Sequence, residues 1–165
     1  MIAFEPSAAV FERLRDAVEL ADDRHVQVEN VALDAKAGTA TLYIPPASMG
    51  NHSPPLVPTP GWDPVTVELL TLDDYCNDTN VDRVDLLKMD VEGCERDVLE
   101  GATALLEAQR IDAILLEFND YWLRERGTTP GDLAGFLEAH GFRDAEAAKG
   151  FAKGGIDTRL FRRLV

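Results

Sequence analysis

The chain has 165 residues, room for one domain around one hydrophobic core. Hydrophobic residues make up 45%, so packing is expected rather than disorder. The formal net charge of −14 argues against nucleic acid or an anionic membrane surface as partner, because phosphates are bound by basic faces.

The N-terminus, MIAFEPSAAVFERLRD, lacks the basic start, long apolar run and cleavage site of a signal peptide. No stretch approaches the roughly 20 apolar residues of a membrane span, so a cytoplasmic protein is expected. Ile2 to Phe4 read as a short strand that stops at Glu5-Pro6. Val10, Phe11, Leu14, Val18 and Ala21 then recur at helical spacing, with Ser7 placed to cap the start. A second strand is expected from Val26 to about Leu33, and a third over Thr39 to Ile44, after a turn at Gly38.

Residues 45–64 hold seven of the nine prolines and read as one long extended loop within the single domain of residues 1–165. A loop of that length is more often a lid or binding loop than a connector. Val65 to Leu69 alternates as a strand, and TLDDYC suggests a short helical turn. VDLLKMDV, Val84 to Val91, is a nearly continuous apolar run, as expected of a parallel strand buried on both faces. A helix follows, with Val98, Leu99, Ala102, Leu105 and Leu106 on one side and Glu95 and Asp97 in its first turn. Ala113 to Phe118 forms a second buried strand. Thr129 as cap, Pro130 at the first position and Gly141 as terminator bound another helix, whose core face is Leu133, Phe136 and Leu137. The tail supplies two last strands around Lys153-Gly154-Gly155. This alternation predicts an α/β fold, a parallel-rich sheet with helices on both faces.

In an open α/β sheet, ligands bind beyond the carboxyl ends of the strands. There the sequence places Glu5, Asn30 to Ala32, Asp90 with Glu92, and Glu117 with Asn119. Glu5 suits either hydrogen bonds from ribose hydroxyls or stabilisation of the next helix's N-terminus. Lys88 and Asp90 share a strand face. Asp90 could bind an ammonium group, orient a hydroxyl or take its proton, and Lys88 could pair with it or hold an anion; the plainer alternative is a solvated strand-to-turn junction. Asp90-x-Glu92 could also hold Mg²⁺, although two carboxylates are a weak metal signal. Tyr121 and Trp122 continue into a loop that either covers a pocket or packs on the next helix. His52, in the proline-rich loop, is an outside candidate for a general base. His25 and His140 read as structural, and Cys76 and Cys94 as buried or idle thiols rather than a disulfide or zinc pair.

Taken in order, IAFEP, NVALDAKAG, TLDDYC, LLKMDVEGCERDVLEGA and AILLEF resemble FkbM-type methyltransferases over roughly Ile2 to Phe142. The Lys-x-Asp-Val-Glu-Gly run, Lys88 to Gly93, is the strongest element, and GNHS at Gly50 to Ser53 is similar to the family's polar loop. The resemblance implies the class I methyltransferase fold: a mostly parallel, Rossmann-like sheet and S-adenosylmethionine as cofactor. It also implies O-methylation of a small-molecule hydroxyl acceptor, a sugar or natural product. On that basis Glu5 and Pro6 bind the ribose side and Asn30, Val31 and Ala32 border the adenine. Asp90 lies near the methionine end and acts first in taking the acceptor's proton, with Glu92, Lys88 and His52 behind it. Glu117 and Asn119 face the acceptor. The family's first strand and glycine-rich loop would precede IAFEP, so the chain is expected to be an N-terminally truncated domain with that strand missing. The alternatives are a catalytically inactive remnant or interaction module and, third, a Mg²⁺-dependent enzyme.

Overall fold

The computed structural model describes residues 1–46, 58–146, 150–151 and 155–164. In chain order the elements are β1 (Ile2–Phe4), α1 (Ala8–Leu20), β2 (Gln27–Glu29), β3 (Ala32–Leu33), β4 (Gly38–Ile44), β5 (Asp63–Leu70), α2 (Leu72–Asp78) and β6 (Leu87–Met89). There follow α3 (Glu95–Glu100), α4 (Thr103–Glu107), β7 (Ala113–Asn119), α5 (Asp120–Glu125), α6 (Pro130–Ala139), β8 (Phe142–Asp144) and β9 (Ile156–Arg163).

The α/β class holds, but the single parallel-rich sheet does not. The strands form three sheets: β1-β2, β3-β5-β4 and β6-β7-β9-β8. Pairing is parallel in β1-β2, β3-β5 and β6-β7, and antiparallel in β4-β5, β7-β9 and β8-β9. Among the described residues no helix lies between β4 and β5 or between β8 and β9, and each of these consecutive pairs runs antiparallel. The expectation that Ile2–Phe4 shares a sheet with the β6 and β7 strands is also overturned. Among the described residues β1 pairs with β2 and β6 with β7, each keeping one free edge.

Two expected strands are shortened by local chemistry. Val26 to Leu33 divides at Asn30, whose side chain donates to the Glu5 carbonyl at 2.8 Å and the Pro6 carbonyl at 3.2 Å. The chain then leaves β1 and pairs with β5 as β3. Val84 keeps one parallel bridge to Ile111, but the ladder resumes only at Leu87, and Leu86 is 53% exposed. The expected strand buried on both faces is therefore a short edge strand.

The main core joins α2 to α6 with β6, β7, β8 and β9 through residues such as Leu99, Leu105, Ile114, Leu116, Leu133 and Phe161. Along β7, Ile114, Leu116 and Phe118 are buried, while Leu115, Glu117 and Asn119 on the opposite face are half-buried. A second, smaller core holds Ala32, Leu42 and Val67. Helix α1 buries none of its residues, so its apolar stripe is only half covered.

Gly101 divides the expected long helix into α3 and α4. A Cβ there would lie 2.1 Å from the Asp34 carbonyl oxygen, so only glycine lets the two backbones meet. Asp73 caps α4 by accepting from the Ala104 and Leu105 amides at 2.8 and 2.9 Å. Thr129 caps α6 as expected, its Oγ1 accepting from the Asp132 amide at 3.2 Å. Gly141 ends α6 with φ of 82°.

Candidate functional site

The carboxyl ends of β1 and β2 hold the first group of expected residues. Glu5 Oε1 accepts from the Ser7 amide at 2.7 Å, and the Glu5 amide donates to the Glu29 carbonyl at 2.9 Å. Burial pushes the Glu5 carboxyl above its usual range, against the opposing pull of the Ser7 hydrogen bond. Glu5 therefore organises the entry to α1, where Ser7 itself makes no side-chain cap bond. Asn30, exposed at the end of β2, spends its amide donor on the Glu5 and Pro6 carbonyls and fixes this corner. Pro6 and Val31 are half-buried. Ala32 turns into the second core, against Leu42 and Val67; packing, not a ligand, occupies its methyl group.

The second group stands at the carboxyl ends of β6 and β7. Lys88 Nζ lies 3.6 Å from Asp90 Oδ2, with side chains 63% and 38% exposed, so the pair contributes little to stability and remains open to a ligand. Glu92 adopts φ of 48°, and its Oε2 accepts from Asn119 Nδ2 at 3.0 Å. Asn119 also accepts, through Oδ1, from the Trp122 amide at the start of α5. Glu117 shares a face of β7 with Asn119 and stands opposite Thr158 of β9. Asp90 and Glu92 gain no third carboxylate, histidine or cysteine in metal-binding proximity among the described residues. His52 lies outside the described residues, as does most of the proline-rich loop.

Two close contacts lock the β6-α3 turn to the β7-α5 turn. The first is the Glu92–Asn119 hydrogen bond. The second is at Gly93, with φ of 94°, where a Cβ would come within 2.6 Å of the Trp122 carbonyl oxygen. Trp122 is half-buried and meets Tyr121 edge to face with centroids 4.7 Å apart, leaving Tyr121 59% exposed. Trp122 thus packs, while Tyr121 remains on the surface beside the strand ends.

Sequence reasoning missed Glu95. Reading it as a first-turn acid favoured by the helix dipole leaves out its burial: it is 1% exposed. Its Oε1 accepts from the Val91 and Gly93 amides at 3.3 and 3.4 Å, and Oε2 has no partner among the described residues. Burial pushes its carboxyl up to about 7, with the amide hydrogen bonds pulling the other way. The available signal was its setting, an acid one residue after Gly93-Cys94 and just before the buried Val98-Leu99 pair. Arg159 was missed too. It is 2% exposed and bonds Asp144 and Asp157, and the alternation that buries Phe161 places it on the same face.

A polar cleft of about 380 Å³ opens beside this turn, lined by Gly93, Arg96, Asp97, Arg126, Thr128 and Asp132. None of the residues expected from the sequence lines it, and Asp97 and Arg126 are ion-paired there. The strand ends remain the better chemical candidate. Glu5, Asp90, Glu92 and Glu117 are carboxylates, acceptors for hydroxyl and ammonium donors and complementary to a positive charge. Such acceptors suit the ribose hydroxyls and ammonium group of a cation such as S-adenosylmethionine.

The chain is similar to known methyltransferases. Residues 1–143 match the family model described as the methyltransferase FkbM domain. The chain is 39% identical over 62 residues to the 2-O-methyltransferase NoeI of Sinorhizobium fredii (strain NBRC 101917 / NGR234), a match spanning 38% of this chain. The crystal structure of methyltransferase FkbM from Methylobacillus flagellatus KT is similar with a TM-score of 0.59, at 17% identity and over 98% of this chain. The matched regions amount to 25% of the length of NoeI and 36% of the solved chain.

Proposed function

From the premise that this chain belongs to the FkbM methyltransferase family, we propose that it serves S-adenosylmethionine-dependent O-methylation of a small-molecule hydroxyl, on a sugar or natural product. The cofactor would supply an electrophilic methyl group on a sulfonium. The chain's residues then have to align the acceptor oxygen and receive its proton. Asp90 is the proton acceptor, half-exposed and adjustable through Lys88 at 3.6 Å. Glu92, held by Asn119, and Glu117 orient the acceptor's hydroxyls. Glu5 accepts from the ribose, with Pro6 and Asn30 shaping that corner.

The observation that carries this reading is the Glu92–Asn119 bond, which draws together the carboxyl ends of two parallel strands beside Asp90. Calorimetric titration with S-adenosylmethionine tests the reading: saturable binding that Glu5→Ala weakens is expected, and absence of binding overturns the cofactor assignment.

A further inference from the structure

Glu95 is a buried acid whose hydrogen-bond partners among the described residues are backbone amides of the turn before its own helix. Val91 and Gly93 donate to the same oxygen, Oε1, at 3.3 and 3.4 Å. Between those two residues sits Glu92, in the left-handed region with φ of 48°. A side chain bearing a Cβ rarely holds that conformation unless its surroundings over-determine it. Here the carboxylate of Glu95 grips the chain on both sides of Glu92, and the Gly93 backbone is pressed against the Trp122 carbonyl. With its backbone so fixed, Glu92 directs Oε2 to Asn119 Nδ2.

We infer that Glu95 is a positioning residue, which acts through the Val91 and Gly93 amides to set the backbone of Glu92 and so aims the Glu92 carboxylate at Asn119 on the acceptor side of the site. Its functional meaning rests on the methyltransferase reading above, whereas the positioning itself does not. A carboxylate retained in an apolar setting with one oxygen unpartnered is costly in stability. Packing alone would favour leucine or methionine at this place. The two amides in its reach give it a task that neither could perform.

Two spectroscopic readouts test this on the ¹⁵N-labelled chain, and neither needs cofactor or acceptor. They are the resonance of the Asn119 side-chain amide and hydrogen exchange at the Val91 and Gly93 amides. Glu92→Ala marks where the Asn119 resonance moves when its acceptor is removed. Glu95→Ala is expected to move it the same way and to speed exchange at both amides by about fivefold to tenfold, the loss of one modest hydrogen bond each. Glu95→Gln keeps a carbonyl oxygen in reach, so the Asn119 resonance should stay in place and exchange at both amides should stay within about twofold of the parent. If Glu95→Ala does not fold, Glu95→Asp, one methylene short of the amides, takes its place with the same expected changes. An unmoved Asn119 resonance in the shortened variant overturns the inference, as does equal disruption by Glu95→Gln. A chain that passes this test and fails to bind S-adenosylmethionine loses the functional reading and keeps the positioning.

Discussion

Asn119 donates a hydrogen bond to Glu92 at 3.0 Å, linking the turn after β6 to the first residues of α5. The two residues are 27 positions apart, yet the parallel pairing of Met89 with Leu116 brings their loops side by side. In a double-mutant cycle, Glu92→Ala and Asn119→Ala should show a coupling of about 0.5–1.5 kcal/mol in chemical denaturation. Additive effects would mean that the contact does not form in solution.

Asp90→Asn should separate catalysis from folding. The side chain is exposed and among the described residues it pairs with Lys88, so the melting temperature should change little. Methyl transfer by a form of the protein competent to bind cofactor should fall about 10²–10⁴-fold, the usual consequence of losing a positioned proton acceptor. Activity within a few-fold of the parent would remove Asp90 from that role.

Two glycines should tolerate no side chain, for different reasons. At Gly101 the obstacle is the Asp34 carbonyl, 2.1 Å from an added Cβ, and φ is an ordinary −73°. At Gly93 a Trp122 carbonyl contact of 2.6 Å combines with φ of 94°. Gly101→Ala and Gly93→Ala should each destabilise by about 1–3 kcal/mol. As a control, Gly135→Ala on α6, with open space around it, should be neutral or stabilising.

Stability should fall as pH rises toward neutrality, because of Glu95. Its folded-state carboxyl is raised from 4.5 to about 7, so between those values the folded chain binds the proton more readily than the unfolded one. The unfolding free energy therefore decreases across that window, by up to about 3 kcal/mol, and levels off above it. Urea denaturation of parent and Glu95→Gln from pH 4.5 to 8 checks this. The variant should lose that part of the slope, and an identical slope in both would show that Glu95 titrates normally.

The sequence by itself determined what local chemistry controls. Apolar runs located β1, β6 and β7, since a strand needs side chains for a buried face. Thr129, Pro130 and Gly141 bounded α6, since caps act within a few residues. The ordered motifs around Lys88 to Gly93 identified the family, and the rule of carboxyl strand ends gathered Asp90, Glu92 and Asn119. Only the tertiary structure decided which strands are neighbours. A run such as Ile2–Phe4 carries no label for its partner, because backbone hydrogen bonds are the same for every sequence. The division at Asn30, the pairing of β3 with β5 and the antiparallel return of β9 along β7 all follow from long-range contacts. Glu95 shows the same limit in one side chain: its position suggested an acid in a helix's first turn, and only the fold placed it out of water, within hydrogen-bond reach of two amides.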